Sequence, residues 1–142
     1  MGITRTDVRP MVIEAVNTLF DANPTHPFVT GIGGRFNFED AMQGWALPYS
    51  VFFVIDDLNK DTFSERLDNV LVQFSVWAKT PVAALKLSSL AYGLFEMQEM
   101  TAPGVVPFRL HRDTPVPLMN ESDGTTPLFH SGICLTGLVQ TI

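Results

Sequence analysis

Three histidines, one cysteine, a glycine cluster and two acidic pairs are the residues of this chain whose types could do chemistry. His26, His111 and His130 are far apart and lack the paired spacing, such as His-x-x-x-His, that offers two imidazoles to one zinc ion. No metal or cofactor is expected from them. Cys134 sits among Ile133, Leu135 and Leu138, where a free thiol behaves as a small inert hydrophobe. In an extended strand His130 and Cys134 share a face, yet no Gly-rich elbow or oxyanion element flanks them. Gly31, Gly33 and Gly34 lack the Gly-Lys-Ser/Thr ending of a phosphate loop and do not lead from a strand into a helix, so they read as a turn. Glu39-Asp40 and Asp56-Asp57 are neighbours in sequence, and neighbours in a strand point to opposite sides, which makes poor acid–base dyads. No catalytic residue is assigned, and the chain is expected not to be an enzyme.

The bulk composition turns attention from chemistry to assembly. The 142 residues fit one domain with a single core. Hydrophobic residues make up 46% and charged ones 17%, against roughly 25% charged in an ordinary soluble domain. With eleven Phe and so little charge, a lone copy is expected to leave apolar patches in water, and such patches mark contacts with partners. The net charge of −6 argues against a free nucleic-acid binder, which needs clustered Lys and Arg to replace phosphate counterions. An acidic surface instead suits a wall past which DNA slides without sticking.

A single Cys134 excludes an internal disulfide framework and fits a reducing compartment. The N-terminal residues show no apolar signal core, and no apolar run approaches spanning length, so no membrane association is expected. Gly2 with Thr6 matches the loose myristoylation pattern without a polybasic second anchor. Asn120-Glu121-Ser122 is a glycosylation sequon in form only.

The elements that would hold these residues follow from periodicity. A helix is expected over 7–21, capped by Thr6 or Asp7 with Pro10 in its first turn, its inner face Val8, Met11, Val12, Ala15, Val16, Leu19 and Phe20. The prolines at 24 and 27 stop it. A short strand over 35–38 follows the glycine turn, and 39–44 reads as loop. Pro48 opens a strand through Ile55 that is apolar on both faces. The return strand places Val70, Val72, Phe74 and Val76 in the core, with Leu71, Gln73, Ser75 and Trp77 on a mixed face suited to partial cover by a neighbour. Between them the dense charges of Asp56, Asp57, Lys60, Asp61, Glu65, Arg66 and Asp68 read as the tip of a long hairpin.

Thr80-Pro81 is a hydroxyl cap followed by proline at the first helical position. From 82 to 97 the only charges are Lys86 and Glu96. Ala84, Leu87, Ala91, Leu94 and Phe95 form one stripe, and Val82, Leu85, Ser89 and Tyr92 a second; a helix apolar on both sides is covered on both sides. Within so short a chain the second cover is expected to be another subunit, which makes Val82, Leu85, Ser89 and Tyr92, with Leu71, Gln73 and Trp77, the candidate oligomer interface. After a break at 101–104 come the stretch 105–110, prolines at 115 and 117, an Asp123-Gly124 turn suggesting an edge hairpin, and a last strand near 128–139. The fold class expected is α+β, an antiparallel or mixed sheet with two helices packed on it, in one domain over 1–142.

The ordered set Gly34-Arg35-Phe36, then Ala46-Leu47-Pro48-Tyr49-Ser50-Val51-Phe52, then Leu71-Val72-Gln73-Phe74-Ser75-Val76-Trp77-Ala78, then an Ala/Leu-rich helix resembles the tail-completion, or tail-terminator, proteins of long-tailed bacteriophages. The likeness rests on a Leu-Pro-Tyr start to one strand and the Gln73…Trp77-Ala78 end of the next. It covers residues 7–98 and leaves 105–142 as a strand-rich C-terminal extension. The resemblance implies a non-catalytic virion subunit, assembled in the host cytoplasm, that forms a hexameric ring at the neck. Such a ring caps the tail tube and meets the head connector or stopper protein, and DNA passes through its lumen without sequence-specific binding. On that reading the charged loop, Asp56, Asp57, Lys60, Asp61, Glu65, Arg66 and Asp68, is a lumen or docking element. The competing expectations are another connector piece (a head-side stopper or the tube subunit itself) and a small enzyme or ligand-binding domain with a pocket under the 82–97 helix.

Overall fold

The computed structural model describes residues 7–42, 44–57 and 67–142. Among the described residues, three helices and six strands run in the order α1 (Arg9–Asp21), α2 (Pro27–Gly31), β1 (Phe36–Phe38), β2 (Tyr49–Asp57), β3 (Leu67–Ala78), α3 (Pro81–Phe95), β4 (His111–Arg112), β5 (Val116–Asn120) and β6 (Phe129–Gln140). The strands form a mixed sheet in the order β1-β2-β3-β6-β4, with β5 also beside β6. The mixture arises at one edge, where β1 runs parallel to β2 while the remaining pairs are antiparallel. The α+β class read from the sequence is therefore the observed one.

Alternation along the strands assigns each side chain to a face. One inner face carries Phe52 and Val54 of β2, Val70, Val72, Phe74 and Val76 of β3, and Ile133, Leu135 and Val139 of β6, all buried. The helices pack on this face: Val12, Ala15, Val16 and Phe20 of α1, Phe28 and Val29 of α2, and Leu87, Ala91, Leu94 and Phe95 of α3 share one cluster with the inner strand residues. Its centre is aromatic. Phe74 stacks on Phe95 with centroids 4.2 Å apart, Phe36 stacks on Phe20 at 4.3 Å and on Phe52 at 4.9 Å, and Phe28 meets Phe36 edge-on at 6.1 Å. Offset and edge-on pairs of this kind add to the stabilisation from area burial alone.

Local chemistry explains the element ends. Thr80 Oγ1 accepts from the Ala83 N–H at 3.1 Å, and Pro81 stands in the first turn of α3, as its sequence indicates. The start of α1 differs from expectation: its N-cap is Val8, with no side-chain cap, and Asp7 instead accepts from the Arg9 N–H at 3.0 Å while clamping the Arg9 guanidinium. The proline-rich stretch that ends α1 also starts a helix of its own. His26 Nδ1 accepts from the Phe28 N–H at 3.1 Å and caps α2, with Pro27 in the first turn. Gly31 then lies so close to Leu87 of α3 that a Cβ would meet its Cδ2 at 2.5 Å. The turn after it needs left-handed backbone at Gly33 and Gly34.

The segment 105–142 supplies β6, which pairs with β3 along its whole length and lies inside the sheet rather than at an edge; β5 pairs with β6 in turn. One expectation is corrected here: the 56–68 segment is not wholly a loop. Asp56 and Asp57 belong to β2, and Asp68 is a buried residue of β3. Lys60, Asp61, Glu65 and Arg66 lie outside the described residues.

Candidate assembly surfaces

The second face of the sheet takes no part in the core cluster. Its positions are Tyr49, Val51, Phe53 and Ile55 on β2, Leu71, Gln73, Ser75 and Trp77 on β3, and His130, Gly132, Cys134, Thr136 and Leu138 on β6. Burial falls along it. Val51, Ser75 and Gly132 are buried, Phe53, Leu71, Gln73, Trp77, Cys134 and Thr136 are half-buried, and Ile55 and Leu138 are 54% and 56% exposed. Leu71 pairs directly with Ile55, so the far end of this face is a small aliphatic patch open to solvent.

The near end is aromatic and polar. Trp77 stands between Tyr49 and His130 in register across three strands, stacked on Tyr49 at 5.5 Å and on His130 at 4.3 Å. Trp45 leans on Tyr49 at 6.0 Å. His130 is only 9% exposed, with Nδ1 3.0 Å from Glu121 Oε2. Its Nε2 is buried with no hydrogen-bond partner among the described residues. Burial, and secondarily the Glu121 carboxylate, pushes the Tyr49 hydroxyl above its usual pKa. Gln73 Nε2 donates to Ser75 Oγ at 3.0 Å. The ladder went unseen in the sequence, although the antiparallel register of the hairpin already sets Tyr49 opposite Trp77.

The other surface is the outside of α3. Val82 is 72% and Leu85 46% exposed, and Ser89 is exposed beside them, with Lys86 also in solvent. Tyr92 is held within its own chain: the Arg112 guanidinium carbon lies 3.8 Å from its ring centre, and Arg112 is fixed in turn by a two-pronged ion pair to Glu96 at 2.7 and 3.0 Å. Hydrogen bonding to Arg112 keeps the Glu96 carboxyl below its usual range. The seven residues singled out in the sequence thus occupy two surfaces, Val82, Leu85, Ser89 and Tyr92 on the helix layer and Leu71, Gln73 and Trp77 on the opposite side of the sheet. The structure does not bring them together within one copy.

Between α3 and the sheet, Leu87, Ala91, Leu94 and Phe95 belong to the core cluster, and Ser88 Oγ lies 3.1 Å from Ser131 Oγ. A cleft of about 250 Å³ lies elsewhere, between α1 and the β1–β2 edge, lined by Asp7, Arg9, Ile13, Phe38, Glu39 and Val54. Within it Arg9 binds Asp7 at 2.8 Å, and Glu39 adds a second carboxylate. Cys134 is half-buried, and burial raises its thiol pKa, which suits an inert thiol. His130 and Cys134 share a face, as parity requires, four positions apart on β6. Among the described residues no group of three or more His, Cys, Asp or Glu is placed to hold a metal ion, and no helix is long and apolar enough to cross a membrane.

Neither a protein-family model nor a curated protein matches the chain by sequence. Among solved structures, a chain from the virion of a native gene transfer agent particle is similar with a TM-score of 0.68 at 10% identity, covering 94% of this chain and 97% of that one. A second solved chain is similar with a TM-score of 0.57 at 15% identity over 99% of both. At these identities the likeness is one of fold, and it extends over nearly the whole of each chain.

Proposed function

We propose that this protein is a structural virion subunit, and within that class a tail terminator: a ring-forming protein that closes the end of a phage-type tail tube and joins it to the head connector. The observation that carries the reading is the near full-length likeness of fold to a chain of a gene transfer agent virion. The ordered Leu47-Pro48-Tyr49 and Gln73…Trp77-Ala78 segments support it. They form the starts and ends of the hairpin that builds the sheet's second face. That face and the outside of α3 are apolar surfaces on opposite sides of one domain, the arrangement that a head-to-tail ring uses. No step in this role requires catalysis. The partners are further copies, the tail-tube protein and the connector or stopper protein, with DNA crossing the lumen and the net charge of −6 keeping it from adhering.

Electron microscopy of the purified protein, alone and mixed with tail tubes, tests the assignment. A terminator gives discrete rings that sit on tube ends. Long filaments would identify a tube subunit instead, and rings that bind connectors but ignore tubes would identify a head-side stopper. A thermal shift with a small metabolite, in a protein that forms no ring, would favour a ligand-binding domain.

A further inference from the structure

A strand at the margin of a sheet presents unpaired N–H and C=O groups that can template another strand, and exposed apolar side chains add to the hazard. One margin of this sheet meets both conditions. Beyond β6 lie β4 and β5 among the described residues, and Leu118 and Met119 of β5 are 39% and 46% exposed. We infer that residues 111–120 form one margin strand whose bulges and prolines close the sheet to strand addition, so that copies of this chain do not join there into a continuous sheet. This goes beyond the terminator reading and holds equally for any other assembly of the domain.

The register shows that β4 and β5 are parts of a single strand. His111 pairs with Thr136 and Arg112 with Leu135, and the Asp113 N–H continues the ladder to the Cys134 carbonyl at 2.9 Å. Carried on without interruption, that register would set Val116 against Ser131, but Val116 pairs with Gly132. The register of Val116 would in turn set Met119 against Phe129, but Met119 pairs with His130. An extra residue is thus taken up twice along the same partner strand, as in a β-bulge, and each bulge bends the margin away from a flat template. Few backbone donors remain for an incoming strand. The Asp113 N–H is used by Cys134, the Thr114 N–H donates to the Asp113 carboxylate at 2.7 Å, and Pro115 and Pro117 have none. Over 113–117 only Val116 keeps an N–H not accounted for, and Val116 already faces Gly132. At one end of the strand Arg112 is held by Glu96, and at the other Asn120 Oδ1 accepts from the Ser122 N–H at 3.0 Å. The opposite margin is limited by length, because β1 offers only three residues.

Three full-length proteins test the closed margin. They are the parent, a Pro115→Thr/Pro117→Thr variant that restores two N–H donors, and the same variant carrying Leu118→Lys, which puts a charge on the exposed edge. Circular dichroism melts establish that each is folded, and Pro117→Thr alone replaces the double variant if that one is not. Sedimentation velocity over a concentration series and amide hydrogen exchange over 114–120 are then read. The parent should keep a discrete size distribution. The proline-free variant should shift to open-ended species that grow with concentration and protect the 114–120 amides, and Leu118→Lys should reverse that shift. A folded proline-free variant with the parent's sizes and the parent's exchange would overturn the inference. So would larger species that leave 114–120 as open to exchange as in the parent. Either result leaves the terminator reading standing, since rings on tube ends decide that separately.

Discussion

At the residue scale, the close approaches explain more than the chemistry-bearing side chains do. Gly132 lies where a Cβ would come within 2.5 Å of the Phe74 carbonyl oxygen, a backbone atom that cannot yield. Gly132→Ala is expected to destabilise the fold by about 1–3 kcal/mol, the cost of overpacking, read as a lower denaturant midpoint at unchanged slope. Asp123 makes a second residue-level prediction. Its carboxylate accepts from the Thr126 and Thr125 backbone N–H groups and the Thr125 hydroxyl, and these bonds hold its pKa below the usual carboxylate value. A folded pKa below the unfolded one stabilises at pH above the unfolded value, roughly 3.9, and that contribution is lost as pH falls through the folded pKa. Asp123→Ala should therefore lose stability at pH 7 and show a shallower loss between pH 5 and pH 2, measured by thermal melts. Unchanged slopes would contradict it. Gly132 did not stand out in the sequence and Asp123 did so only as part of an Asp-Gly turn, because a glycine's neighbour across a strand and a turn's backbone donors exist only after folding.

At the element scale, most of the fold was legible. The Thr80-Pro81 cap, the inner stripe of α3 and the alternation of β3 each follow from short-range pattern, and each is observed. What was not legible depends on long-range pairing. α2 is a five-residue helix capped by a histidine, too short to leave a periodic signal. β6 reads as an edge strand beside an Asp-Gly turn, yet its twelve-residue pairing with β3 makes it central. The two stripes of α3 give the sharpest test at this scale. Leu87 is buried against the sheet, so Leu87→Asp should cost about 3–5 kcal/mol, the range for an uncompensated buried charge, and abolish cooperative unfolding. Leu85→Asp faces solvent in a single copy and should alter monomer stability by less than about 0.5 kcal/mol, while reducing assembly. Circular dichroism melts and sedimentation of the two variants together decide it; equal loss of folding in both would show the stripes are misassigned. Tyr92→Asp belongs to neither class cleanly, because Tyr92 packs beneath Arg112 in its own chain.

At the scale of the whole molecule, the apolar surplus that the composition announces has a particular location. The abundance of Phe is not its source. Seven rings, Phe20, Phe28, Phe36, Phe38, Phe52, Phe74 and Phe95, are joined in one contiguous set of ring contacts in the interior. The large apolar side chains exposed among the described residues include Val82 and Leu85 on one side and Ile55 and Leu138 on the other, with Met42, Met97, Met119 and others elsewhere. Composition announces the surplus without locating it, since it counts side chains without saying which of them find each other. The account stands on the claim that copies of this chain cover those surfaces for one another. Mass photometry of the purified full-length protein, alone and with tail tubes, measures that claim directly. The account predicts one discrete closed oligomer, and a monomer at every concentration in both conditions would contradict it.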